Sequence, residues 1–254
     1  MQRMRALVVV VGLVLALMPA TPASATIRWS PRMGPAIDFA EQRRGSVSFA
    51  VVDTQGRFHG YRSRTRVPAA SVIKVMFMVA YMRMPDVRDR PLRDSEKRLL
   101  RPMIIRSDNT AATRIADIVG PGRMNSLADA AGMVDFNYTR PWGMSTTSAR
   151  DQAWFMARLP SRIPKRHEKY ALYLLTRIVD SQRWGVGQVD TLPWSKHFKG
   201  GWGSGSGAVD HQVVRLQQSS DRIGMAVMTT SSPSHDYGKT TLRGVFGRLL
   251  ADLP

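Results

Sequence analysis

Val67-Pro68-Ala69-Ala70-Ser71-Val72-Ile73-Lys74-Val75-Met76-Phe77-Met78-Val79-Ala80-Tyr81-Met82 is the stretch whose reading decides the fold. From Ser71 onward it is almost continuously apolar and broken only by Lys74, the pattern of a helix buried on most sides. Ser71 and Lys74 stand three residues apart, so their side chains share a face in the first turn. A capping serine followed by a lysine that reaches out to water is the bland account of such a pair. Lys74 speaks against it, because a cation on a wholly apolar face needs a polar partner inside the protein. An amine in that position takes a hydroxyl proton once burial and a neighbouring cation depress its pKa. A serine at a helix start also offers its own N–H to a developing oxyanion.

Working outward, Gly45 to Asp53 alternates and is rich in valine, Thr54-Gln55-Gly56 reads as a turn, and Arg57 to Tyr61 returns as the second strand of a hairpin. Beyond the buried helix, Ser95 to Ile105 and Asn109 to Val119 read as helices, the second ended by Gly120 and Pro121. Thr147 to Leu159 and Lys165 to Gln182 read as two more. Three strand-like segments follow, Ser195 to Trp202, Val213 to Gln218 and Arg222 to Thr230, with Asp221 marking a tight turn, and Tyr237 to Leu253 closes the chain as an amphipathic helix. Strands at both ends and helices between them predict a mixed α/β (α+β) fold. In it an antiparallel sheet is shared by the two chain ends and flanked by helices, and a helical lobe of about 71–182 is an excursion from it.

Two further motifs fall in this frame. Ser107-Asp108-Asn109 lies in the short connection between two helices. Ser107 can relay a proton between Lys74 and a leaving group, and Asn109 can hydrogen-bond a substrate amide. Taken alone, an ordinary interhelix loop with Asn109 as a cap explains the triplet as well. Asp108 reads as structural, bonding nearby backbone N–H groups. Lys199-Gly200-Gly201-Trp202 sits in a strand whose glycines let a ligand approach the backbone. There the Lys199 ammonium can bind a substrate carboxylate and help lower the Lys74 pKa, and the Trp202 N–H is the candidate second oxyanion donor. Together the three motifs hold the parts for acyl transfer through a serine ester.

Composition narrows the rest. Arg3 and Arg5 precede the apolar run Ala6 to Met18, then Pro19 and Ala23-Ser24-Ala25. That pattern reads as a secretory signal, residues 1–25, cut after Ala25. The expected product is a secreted or cell-envelope protein, 26–254, forming a single domain with no permanent membrane span. No cysteine is present, which removes thiol catalysis, thiolate metal sites and disulfides. The five histidines show no paired ligand spacing, so no metal and no cofactor is expected. The net charge of +18 comes from thirty arginines and seven lysines without an aromatic-interleaved stripe. It argues against nucleic acid and fits attraction to anionic envelope polymers or a plain solvated surface.

The three motifs in this order resemble the penicillin-recognising Ser-x-x-Lys acyltransferases, and specifically the serine hydrolases similar to class A β-lactamases, over essentially the whole mature chain. Gln182-Arg183-Trp184-Gly185 and Lys199-Gly200-Gly201-Trp202 resemble a less studied branch of secreted actinobacterial serine hydrolases. The resemblance implies a β-lactamase/transpeptidase-like fold and, as substrates, β-lactams or D-Ala-D-Ala stem peptides of peptidoglycan. It implies Ser71 as nucleophile, Lys74 and Ser107 as the proton-transfer pair, and Asn109, Lys199, Gly201 and Trp202 as substrate contacts. Two departures stand out. The glutamate that activates the deacylating water in class A enzymes has no counterpart, since no acidic residue lies between Asp135 and Asp151. Gly200 also stands where the family has a threonine or serine. The first departure predicts slow deacylation, with Asp135 or Asp151 as the carboxylates able to overturn it by folding into the site. The second predicts one hydrogen bond fewer to a carboxylate. Beside a β-lactamase-like hydrolase, the readings are a cell-wall D-Ala-D-Ala peptidase (a penicillin-binding protein), a non-catalytic binding module on the same fold, and a basic adhesion surface.

Overall fold

A computed structural model describes residues 26–254 apart from Ser204 and Ser206; the segment read as a signal lies outside the described residues. Helix α1, Met33–Glu41, precedes β1, Ser46–Val52, and β2, Phe58–Tyr61. The two-residue strand β3, Val67–Pro68, leads to a 3-10 turn, Ala70–Val72, and to α2, Ile73–Met82. The helical lobe continues with α3, Pro85–Arg88, α4, Asp94–Ile105, and α5, Asn109–Ala131. After β4, Thr146–Thr147, come α6, Ala149–Ala157, α7, Leu159–Arg162, and α8, Lys165–Thr176. The chain ends with β5, Ser195–Gly203, β6, Val209–Gln218, β7, Asp221–Thr230, and α9, His235–Leu249. The sheet has the order β2-β1-β7-β6-β5, every neighbouring pair antiparallel, so strands from the two ends of the chain do form one sheet.

Register decides which side chain meets which layer. Residues paired across an antiparallel sheet share a face and successive residues alternate. Gly224 of β7 packs against Ala153 and Ala157 of α6, whereas Asp210 of β6, opposite Thr229, packs against Gly238 of α9. The parities differ, so α6 and α9 cover opposite faces. On the edge strand β5, Lys199 pairs with Val213 and Gly201 with His211, which puts both on the α6 face. Gly200 pairs with Gln212 and Trp202 with Asp210, on the α9 face.

Several expected boundaries shift for physical reasons. The sequence reading has no counterpart of α1. It has Gly34 and Pro35 in its first turn, and its core-facing side is Met33, Ala36, Ile37 and Ala40 at helical spacing, a short stripe the sequence reading passed over. The helix expected to stop at Gly120 does break there, with Gly120 at φ 72° and ψ 165°, and a second helical segment, not expected, follows as far as Ala131. Asp221 does not make the last hairpin turn: it pairs with Gln218, and the turn is Ser219-Ser220, with Ser219 at φ 51°. The Asp221 carboxylate instead accepts the Ile27 N–H at 3.1 Å. Thr147 belongs to β4 and α6 begins after Ser148, whose hydroxyl accepts the Asp151 N–H. The helix expected to run to Gln182 ends at Thr176, and the β6 strand begins four residues earlier than expected.

Close approach at Gly224 sets the seat of α6. A Cβ there would fall inside the contact shells of Ala153 O and Ala157 N, both backbone atoms with little room to yield. Gly224→Ala is expected to cost about 1–3 kcal/mol as an overpacking change. In urea unfolding it appears as a lower midpoint at unchanged slope.

Candidate active site

The segment carrying Ser71 is held from both sides before the helix begins. Val67 and Pro68 pair with Thr147 and Thr146, and the Ala69 N–H donates to Ser145 O at 2.6 Å. His211 clamps it from β6. The Thr229 N–H donates to His211 Nδ1, so Nε2 carries the hydrogen and donates to Pro68 O at 2.9 Å. Burial pushes the His211 pKa down to about 4, which keeps the ring in this neutral state. Ala70 is then forced to φ 45°, a strained value for a residue with a side chain, and Ser71 follows it, buried, in the 3-10 turn.

Lys74 is wholly buried. Its Nζ donates to Ser107 O at 2.6 Å, to Ser107 Oγ at 3.0 Å and to Asn109 Oδ1 at 2.7 Å. The internal polar partners that its apolar surroundings demand are therefore the second motif. Ser107 reaches it in a left-handed conformation, φ 58°, which turns carbonyl and hydroxyl toward one amine. Asp108 anchors that turn: its carboxylate accepts the Ala111 N–H at 2.8 Å, and its N–H donates to Pro102 O at the end of α4. The helix cap is thus Asp108, which leaves the Asn109 side chain to Lys74. Burial brings the Lys74 pKa down to about 7, against the pull of the Asp108 charge.

Lys199 is also fully buried, and its Nζ donates to Gly200 O at 2.6 Å. Burial pushes its pKa well down, and the charge of Lys74 adds to that. Burial is thus the main cause at both amines, as expected for Lys74, and their like charges disfavour protonating both at once. Gly201 lies against the Ser71 segment, since a Cβ there would stand 2.8 Å from Ser71 N and 2.9 Å from Val72 N. Only glycine lets β5 come this close. Trp202 follows on the opposite face.

Gly200 has its own reason. A Cβ there would lie 2.7 Å from the Trp184 ring, so the indole fills the space in which a threonine would stand. The Trp184 ring also meets Trp202 and His235 edge-on, while Trp202 and His235 stack at 5.7 Å. His235 Nδ1 lies 2.5 Å from the buried Asp210 Oδ1. Burial pushes Asp210 up to about 6 although His235 pulls the other way. The pair borders a cavity of about 190 Å³ lined by Trp202, Val209, Asp210, Ser234 and His235. Sequence spacing gave no sign of these partners, which lie 25 or more residues from His235.

The two carboxylates named as replacements for the missing glutamate are engaged elsewhere. Asp135 accepts from Ser148 Oγ at 3.0 Å and faces Arg64 and Arg66, and Asp151 accepts the Asp135 N–H at 2.7 Å and pairs with Arg150. They brace the start of α6. The loop between them brings Trp142 instead, whose ring centroid lies 5.0 Å from Lys74 Nζ.

With this geometry in view, the comparisons decide the family. The model of the β-lactamase enzyme family matches residues 87–253. The chain belongs to that family. The match spans the second and third motifs; the Ser71–Lys74 segment lies outside it, separated from its start by twelve residues. Among solved structures, the chain is similar to a β-lactamase from Sphaerobacter thermophilus at 22% identity and a TM-score of 0.73, covering 88% of this chain and 97% of that one. It is similar to an ancestral class A β-lactamase at 18% identity and 0.73, covering 85% and 97%. A β-lactamase from Xanthomonas campestris gives 15% identity and 0.74, covering 87% and 97%. No protein of curated function matches the sequence. At these identities the structures establish the β-lactamase fold, and the family supports a serine hydrolase in general terms.

The packing of Gly200 on Trp184 yields a double-mutant test. Gly200→Thr alone is expected to destabilise by about 1–3 kcal/mol through overpacking. Combined with Trp184→Ala it should cost at least about 1 kcal/mol less than the sum of the single changes, because the two share one space. Urea unfolding of the four proteins measures the coupling.

Proposed function

We propose that the protein is a secreted serine hydrolase that is acylated at Ser71 by β-lactams or related amides and esters, and releases the acyl group slowly. The observation that carries this reading is the buried Lys74 amine, depressed to about 7 and held by Ser107 and Asn109. In this reading Ser71 Oγ attacks the carbonyl and its proton passes to neutral Lys74. Ser107 carries a proton on to the leaving nitrogen. The N–H groups of Ser71 and Trp202 receive the oxyanion, with Asn109 and Lys199 contacting the substrate. Residues 1–25 act as the export signal, and the charge of +18 supports a place beside anionic envelope polymers.

Slow release follows from the loop. A positioned base contributes about 10²- to 10⁴-fold to such a step, and both nearby aspartates are bound up in the α6 brace. That same feature supports a second reading, a cell-wall D-Ala-D-Ala peptidase that behaves toward β-lactams as a penicillin-binding protein.

A reactive β-lactam should add one acyl equivalent to the intact mass, mapping to Ser71 and absent in Ser71→Ala. A chromogenic lactam should give a burst of one equivalent followed by little turnover. A folded protein that no lactam labels would overturn the enzyme reading in favour of a binding module. Acylation should also follow the Lys74 proton. The amine is a base only when neutral, so the acylation rate should rise with pH through about 7 and level off above it. Stopped-flow acylation between pH 5 and 9 measures this, and a rate that falls across pH 7 would exclude Lys74 as the base.

A further inference from the structure

Residues 137–146 form a tightly braced loop. Asn137 and Thr146 exchange backbone hydrogen bonds at 3.1 and 2.9 Å, and Arg140 pairs with Asp117 at 2.6 Å. The buried Ser145 hydroxyl accepts from Thr139 N and donates to Thr139 O. Out of this frame Trp142 reaches back over the helical lobe. Its Nε1–H donates to Thr113 Oγ1 at 3.1 Å, and its ring meets the buried Phe77 edge-on at 5.9 Å. Its ring lies 5.0 Å from Lys74 Nζ, and the other partners of that nitrogen are Ser107 and Asn109. An apolar ring held this firmly covers the loop side of the amine where a hydrolytic water would need to stand.

We propose that Trp142 is the positioning residue that sets the lifetime of the acyl group on Ser71, by walling Lys74 off from water. This deepens the proposed function and rests on it. Hydrolysis of the ester requires a water oxygen to bond to the acyl carbon while the Ser71 Oγ–C bond breaks. The water's proton passes to a base, and Ser71 Oγ recovers a proton. Lys74 and Ser107 are the groups able to move those protons, and with Trp142 in place a water cannot approach them from the loop. The ring acts on the amine in two senses. Its face attracts the ammonium, and its bulk denies that ammonium water. Lys74 is otherwise faced by the Asp108 charge at the start of α5, which favours the ammonium, and by Lys199 of β5, which opposes it. Burial, to which a ring at 5.0 Å contributes, lowers the Lys74 pKa.

The test compares the wild type with Trp142→Ala, Trp142→Leu and Trp142→Phe, each checked for a native melting transition. After acylation by a penicillin and removal of the excess, loss of the adduct is followed by intact mass. Trp142→Ala should lose it at least about tenfold faster than wild type, given what a water-activating base contributes. Trp142→Leu should lie between the two, and Trp142→Phe, which keeps a ring over the amine, within about threefold of wild type. An adduct as long-lived in the alanine and leucine proteins as in the wild type overturns the proposal, as does a phenylalanine protein as fast as the alanine one. A readout free of acylation separates this from failure of the proposed function. The pH dependence of Lys74 acetylation by acetic anhydride, followed by peptide mass, should show a higher plateau in Trp142→Ala and a midpoint raised by about one unit. Should no lactam label the wild type, unchanged plateau and midpoint would still show that Trp142 does not shield Lys74.

Discussion

A lysine nitrogen taken wholly out of water must find an anion, or share its hydrogens among neutral acceptors and hold its proton loosely. Lys74 takes the second course, and much of the surrounding structure exists to make it possible. Three acceptors must converge on one atom at 2.6–3.0 Å, and two of them come from a single residue, Ser107, in a strained backbone conformation. That conformation needs the Asp108 cap and the Asp108 N–H bond to Pro102, so the end of α4 and the start of α5 are both committed to it. Had the partner been a carboxylate, the amine would keep its proton and lose its value as a base. Neutral acceptors hold the nitrogen in place and leave its pKa near neutrality.

The second organising constraint is the register of the edge strand. Because β5 alternates, Lys199 and Gly201 lie on the α6 face of the sheet while Gly200 and Trp202 face α9. Both glycines are then required, for different reasons on the two faces: Gly201 by the backbone of Ser71, Gly200 by the ring of Trp184. A threonine at position 200 is therefore incompatible with the tryptophan as packed. Gly200 and Trp184 share one space, so the residue at either position limits the other. The same indole meets His235 edge-on, beside Trp202 and the buried Asp210.

Local periodicity carried most of the fold: the valine-rich hairpin, the apolar helix after Ser71 and the three late strands are where alternation and apolar runs place them. It failed where the deciding contact is remote or slight. Helix α1 shows only a single short stripe, Met33, Ala36, Ile37 and Ala40, behind Gly34 and Pro35. Gly120 does interrupt the helix as its sequence suggests, but the second helical segment beyond it, to Ala131, was not read. In the site, Ser71, Lys74, Ser107 and Asn109 were legible as a group, since chemistry names the residue types and their order supplies the rest. The burial of Lys74 was legible as well, from its apolar surroundings; the brace of Asp135 and Asp151 and the tryptophans over Lys74 and Gly200 were not. Each depends on residues brought together from distant parts of the chain.

The loop decides which groups the site can bring to bear on Lys74. Asp135 and Asp151 are close enough in sequence to suggest a substitute base, but both are spent on holding α6: one on the Ser148 cap with two arginines, the other on a backbone N–H and Arg150. Pulling either into the site would leave buried donors unsatisfied at the point where α6 meets the sheet, a cost of several kilocalories for a charged group. The fold thus has no carboxylate to release cheaply. What the loop presents to Lys74 is an indole, which has no basic lone pair to accept a proton. In the proposed reading acylation uses α2, the Ser107 turn and β5, and hydrolysis uses the same Lys74 and Ser107 together with whatever base or water this loop admits.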